Sequence, residues 1–100
     1  MIDTRLLSEG VFQRTEGLLA AEAGEELLMM SVDLGRYFNL NAVGARIWAL
    51  LERPMMVQAM LATLLAEYDV TPEVARQELE TFLGALHERG LVTVSNALAG

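Results

Sequence analysis

Gly35-Arg36-Tyr37-Phe38-Asn39-Leu40-Asn41-Ala42-Val43-Gly44-Ala45-Arg46-Ile47-Trp48 is the stretch on which the fold turns. From Arg36 to Leu40 the residues alternate as in a strand, with Phe38 and Leu40 on one side and Tyr37 and Asn39 on the other. Asn41 falls where a helix N-cap belongs, because its side-chain carbonyl can accept from free backbone N–H groups of the first turn. Val43, Ile47, Leu50 and Leu51 then follow at helical spacing, with Trp48 beside them. A strand thus runs into a helix without a spacer, and an indole anchors the joint.

Upstream, Gly24-Glu25 separates two apolar runs, and glycine first in a two-residue loop suits a type II′ hairpin. Glu26 to Val32 is apolar almost throughout and reads as a strand covered on both faces, with a buried helix segment as the rival reading. Asp33-Leu34-Gly35 is the next turn. Val11 to Arg14 alternates briefly, and Leu18 to Ala23 could continue it, with Gly17 as a turn or bulge. Residues 1 to 10 are expected to be loose at the start.

Downstream the pattern is helical. The first helix should stop near Glu52, since the residue before Pro54 resists the α conformation. The second covers roughly Met56 to Tyr68 and buries Val57, Met60, Leu61, Leu64 and Leu65. Thr71-Pro72-Glu73 is a strong helix start, with a hydroxyl cap, proline at the first position and an acid in the first turn. The third helix runs to about Arg89 with Ala75, Leu79, Phe82, Leu83 and Leu86 inward, and Gly90 ends it. Leu91-Val92 should fold back as a staple, and Ser95 to Gly100 reads as a tail. The expected fold class is α+β, three antiparallel strands followed by three helices, in one domain over residues 1–100.

Composition narrows the function. At 100 residues and 53% hydrophobic, the chain can build one core without disulfides or metal. Cysteine is absent, which removes thiolate sites and cysteine nucleophiles, and a cytoplasmic location is the default. No signal peptide and no membrane-spanning run are visible. The net charge is −7, and every basic residue is arginine. Nucleic acid is bound largely by neutralising phosphates, so this balance favours neutral or basic partners instead. His87 is the only histidine and lacks the partners of a triad or zinc site, so neither catalysis nor a cofactor is expected. Glutamates cluster at a hairpin turn and on helical outer faces, where solubility explains them. The methionines read first as core filler and second as an adaptable peptide-binding surface.

The feature with consequences is an edge. Arg36 to Leu40 ends a meander, so one side of it carries unpaired backbone groups, with no bulge or proline to block them. If the third helix stands off by a strand's width, a peptide could add there as a further strand. The competing readings are closure by the chain's own N-terminus, or a contact between copies.

These blocks resemble the PqqD-like domains. The likeness runs over Glu26 to Met30, Asp33 to Asn41 and Val43 to Leu51, and later through Leu64, Glu67-Tyr68, Thr71-Pro72, Phe82-Leu83, Leu86 and Gly90-Leu91-Val92. It spans roughly residues 11 to 94, and is specific in the strand and Ala-Arg-Ile-Trp blocks and generic in the helices. The resemblance implies a winged helix-turn-helix fold that recognises the leader of a ribosomal precursor peptide. It implies a guest strand on the third strand, lying against the third helix. Tyr37, Phe38, Asn39 and Leu40 would offer the edge. Val74, Glu78, Thr81 and Ala85 would line the helix side, with Arg36 and Arg76 flanking. The wording is most similar to the stand-alone leader-binding proteins of lasso peptide clusters, whose partners would be a leader-cleaving protease and an ATP-dependent cyclase. A PqqD working with a radical SAM enzyme is the near alternative. A winged-helix nucleic-acid binder is a third reading. A monomer is expected, although an open edge could also pair with a second copy.

Overall fold

The computed structural model describes residues 4–96. In chain order they form α1 (Thr4–Glu9), β1 (Gly10–Arg14), β2 (Leu18–Ala23), β3 (Glu26–Ser31) and β4 (Arg36–Leu40). There follow α2 (Ala42–Leu50), β5 (Met55–Met56), α3 (Val57–Glu67), α4 (Pro72–Glu88) and β6 (Val92–Asn96). The strands make two antiparallel three-stranded sheets, β2-β3-β4 and β5-β1-β6. The expected three-stranded sheet and three-helix half are present, an arrangement compatible with a winged helix-turn-helix. Among the described residues, no helix is long and apolar enough to cross a membrane.

Local chemistry sets these elements. Gly24 takes φ +65°, and among the described residues only glycines have positive φ, which fits the type II′ turn between β2 and β3. Between β3 and β4, Gly35 N–H donates to the Val32 carbonyl at 3.3 Å and Leu34 N–H to the buried Ser31 hydroxyl at 3.2 Å. That turn fixes the register Ser31↔Arg36 through Leu27↔Leu40. Asn41 caps α2 as expected, accepting from Gly44 N–H at 2.9 Å. Thr71 caps α4, with Pro72 in its first turn. At the other end of α4, Leu91 N–H reaches the Leu86 carbonyl and Gly90 N–H the His87 carbonyl. This is a Schellman motif, and it needs the left-handed φ of +76° at Gly90.

The core joins both sheets to the helices: Phe12, Met29, Leu40, Ile47, Trp48, Met60, Leu79, Leu83 and Leu91 all belong to it. Val43, expected inward, is 44% exposed, because the buried face of α2 falls on Gly44, Ile47 and Trp48 instead.

Several expectations need correction. Val11 to Arg14 and Leu18 to Ala23 are not one interrupted strand. The chain turns at Gly17 (φ +84°) and the two halves enter different sheets. The Leu91-Val92 staple is buried, but it continues into β6, which pairs with β1 over Gly10↔Asn96 to Arg14↔Val92. Ser95 and Asn96 therefore belong to a strand rather than a tail, and the rest of that tail lies outside the described residues. The segment expected to be loose contains α1, and its first three positions lie outside the described residues.

Arg46 on α2 grips Glu67 at the end of α3 with two hydrogen bonds, 2.8 and 2.6 Å. Those bonds hold the Glu67 carboxyl below its ordinary range, against a smaller opposing effect of burial. A carboxylate depressed in the folded state contributes above its unfolded value and loses that contribution as pH falls through the folded one. Thermal melts should therefore show a step of destabilisation on acidification that is smaller in Glu67→Gln. Identical acid profiles for the two proteins would contradict this.

Candidate functional site: the open edge of β4

β4 stands at the end of its sheet and pairs only with β3. No other strand among the described residues meets its far edge, so a row of N–H and C=O groups is left for solvent or a guest. Along β4, Phe38 is half-buried against the core and Leu40 is buried, so these two face the helices with Arg36 at the same parity. Tyr37, 69% exposed, and Asn39 face the other way. The Asn39 amide donates to Glu26 at 3.0 Å across the sheet, so what Asn39 offers a guest is its backbone.

Beside this edge lies a cavity of about 380 Å³, lined by Arg36, Tyr37, Phe38, Asn39, Leu40, Arg89 and Leu91. All the strand residues named from the sequence thus share one groove. Its opposite wall comes from the chain just past α4. That wall is pinned from behind: Thr15 donates through its hydroxyl to the Gly90 carbonyl (2.7 Å) and through its N–H to the Leu91 carbonyl (3.0 Å). Arg14, at the end of β1, stacks 4.9 Å from the Trp48 ring and donates to the Trp48 carbonyl. The β1–β6 ladder therefore positions the groove's far side against β4.

The helix residues named from the sequence also come together, though in a separate hollow. Val74, Glu78, Thr81 and Ala85 line a depression of about 560 Å³ on α4 together with Gln77 and Phe82. No residue lines both this hollow and the groove. A further hollow, sharing Glu78 and Phe82 with the second, opens between α2, α3 and α4 near Val43, Tyr68 and Val70.

Arg76, expected to flank the groove, instead bonds Glu80 one turn along α4 at 3.1 Å. The arginine that lines the groove together with Arg36 is Arg89. Its signal in the sequence is its place next to the helix-ending Gly90, where a cation also suits the helix dipole. Leu91, a staple by its position after the helix end, is a wall of the site as well.

Among the described residues, no group of His, Asp or Glu side chains is placed to hold a metal ion. What the site offers is an unpaired strand edge beside a groove, a geometry to which an extended chain can add.

The profile of the family described as coenzyme PQQ synthesis protein D (PqqD) matches residues 26–92. The structure of TbiB1 in complex with the TbiA(beta) leader peptide superposes with a TM-score of 0.75 at 31% identity, covering 80% of this chain and 93% of that one. Lasso peptide synthetase B1 complexed with the leader peptide superposes with a TM-score of 0.71 at 20% identity, covering 82% and 96%, and shares the fold. No curated protein matches the chain at a significant level.

Proposed function

The chain belongs to the PqqD family, and from that premise we propose that it is a non-catalytic adaptor that captures the leader of a ribosomal precursor peptide. The guest adds as a strand to the free edge of β4 and lies in the groove closed by Arg89 and Leu91. The observation that carries this reading is the unpaired edge beside that groove, in a fold shared with a protein solved with a leader peptide. Each added backbone hydrogen bond contributes about 0.5–1.5 kcal/mol net. Each Å² of apolar surface buried adds roughly 25 cal/mol. About five such bonds at roughly 1 kcal/mol each and about 400 Å² of apolar burial give about 15 kcal/mol, which leaves micromolar binding, about 8 kcal/mol, after an ordering cost of about 7 kcal/mol.

Val74, Glu78, Thr81 and Ala85 on α4 belong to the same recognition surface in this reading, contacting the guest beyond the strand. The chemistry done to the guest falls to separate enzymes, a leader peptidase and a cyclase of a lasso-type pathway. The 31% identity to TbiB1, together with the second B1 structure, favours that pathway. The name of the matching family supports a second reading, in which the same groove presents a precursor to a radical SAM enzyme. Nucleic acid is a poor guest for α4, since Arg76 is already engaged by Glu80 and the chain carries a net charge of −7.

The test is a titration of this protein alone with a labelled synthetic leader from the precursor open reading frame beside its gene. Saturable binding is expected without metal or nucleotide, and N-methylation of alternate leader amides should weaken it at least tenfold. Absence of saturable binding overturns the adaptor reading. Binding indifferent to N-methylation overturns strand addition.

A further inference from the structure

Most of the arginines are occupied within the fold. Arg46 is held by Glu67, Arg76 by Glu80 and Arg5 by Glu9, while Arg14 caps the Trp48 carbonyl. Among the described residues, Arg53 in the loop after α2 meets no acid in an ion pair and donates no side-chain hydrogen bond, and the same holds for Arg36 and Arg89, although the chain has a large excess of acids. Both line the groove beside β4. Asp33 in the adjoining turn and Glu88 next in the chain are the acids nearest in sequence, and neither pairs with them. Arg36 shares the helix-facing parity of Phe38 and Leu40, so its charge lies on the side of β4 that a guest's inward side chains would meet. Two like charges sharing one groove repel each other until an anion is brought between them.

Backbone pairing alone does not fix where a guest sits. A slip by two residues keeps the hydrogen-bond ladder and puts the same face inward. Something on the side chains must select one register. We propose that the guest carries one aspartate or glutamate on its helix-facing side, bound between Arg36 and Arg89, and that this carboxylate sets the register of strand addition. The inference rests on the peptide-binding reading above and goes beyond it by naming the chemical feature the groove selects. Guanidinium groups suit the role, because each can present two N–H donors to a carboxylate. Apolar contact to the half-buried Phe38 supplies affinity, and the ion pair supplies discrimination.

A randomised library of displayed linear peptides tests this without requiring the leader's sequence. It is selected in parallel on the wild-type protein, on Arg36→Gln/Arg89→Gln and on Arg36→Glu/Arg89→Glu. Both positions are exposed, and circular dichroism checks that each variant remains folded. Wild-type selections are expected to converge on apolar peptides with one acid at a fixed spacing from the apolar anchors. The glutamine pair should keep the apolar pattern and lose the acid. The glutamate pair should replace it with arginine or lysine. For a purified wild-type-selected peptide, changing its acid to the amide should cost about tenfold in Kd, equivalent to about 1.4 kcal/mol. Combining that change with the glutamine pair should cost no more than either alone. The peptide-side change keeps the question decidable even if a protein variant fails to fold. Peptides that bind through their backbone with no acid preference would overturn this inference and leave the adaptor reading intact. Failure to select any peptide would overturn both.

Discussion

Phe12→Ala is expected to cost about 3–5 kcal/mol of folding stability, the usual penalty for emptying a fully buried aromatic site. Phe12 is 0% exposed and sits in the middle of β1, opposite Val94 on one side and Met55 on the other. Its side chain belongs to the same core as Leu83, Leu86 and Leu91. Small domains hold only about 5–15 kcal/mol in total. For a domain of this size each kcal/mol moves Tm by about 4–8 °C, so a fall of more than about 12 °C is expected by far-UV circular dichroism. Leu19→Ala, on the exposed outer face of β2, serves as the control and should stay within about 0.5 kcal/mol. Equal melting of Phe12→Ala and wild type would mean that the β5-β1-β6 sheet is an appendage. It would also remove the support of the groove's far wall, because Thr15, directly after β1, is what bonds the Gly90 and Leu91 carbonyls.

That sheet is the part of the fold that sequence reading does not foresee, and each strand of it hides for a different reason. β1 alternates only briefly, the Leu-Leu-Ala-Ala run of β2 has no clear period, and only Thr15-Glu16-Gly17 lies between them, so a turn and a bulge look alike. β5 is two residues long, too short for any period to register. β6 follows a helix cap whose next residues are normally read as a staple, and its partner β1 lies at the other end of the chain. Local pattern carries no information about such a distant pairing. α1, at six residues, is likewise below the length at which helical periodicity shows.

The elements governed by local rules are legible. Asn41, Thr71 and Gly90 announce helix ends through side-chain and backbone chemistry that acts within a few residues, and each does so in the structure. The edge of β4 is legible because the meander ends there and nothing in Arg36 to Leu40 blocks it. Tyr37, Phe38, Asn39 and Leu40 are therefore named together from the sequence and do line one groove. The second arginine is misplaced for a plain reason. Arg76 lies near the start of α4 and Arg89 at its C-cap, so they fall near opposite ends and on different faces of the helix; local pattern does not say which end stands beside β4, and the structure puts Arg89 there while Arg76 pairs with Glu80.

Phe38→Asp is expected to abolish leader binding, with a loss of more than about a hundredfold, while the protein stays folded. Two effects act in the same direction. Phe38 is the half-buried apolar side chain of β4 that faces the groove, and replacing it removes the surface on which a guest's inward residues pack. The introduced carboxylate also lies at the parity of Arg36 and competes for the charge that the guest's acid would use. Phe38→Ala separates the two, removing the apolar surface alone, and should lose about ten- to a hundredfold, some 1.4–2.8 kcal/mol. Anisotropy titration with the labelled leader reads both variants, and circular dichroism reports the folded fraction. If Phe38→Asp binds as wild type does, the guest does not lie along β4. In that case the hollow formed by Val74, Glu78, Thr81 and Ala85 becomes the site to test, because it shares no wall with the strand.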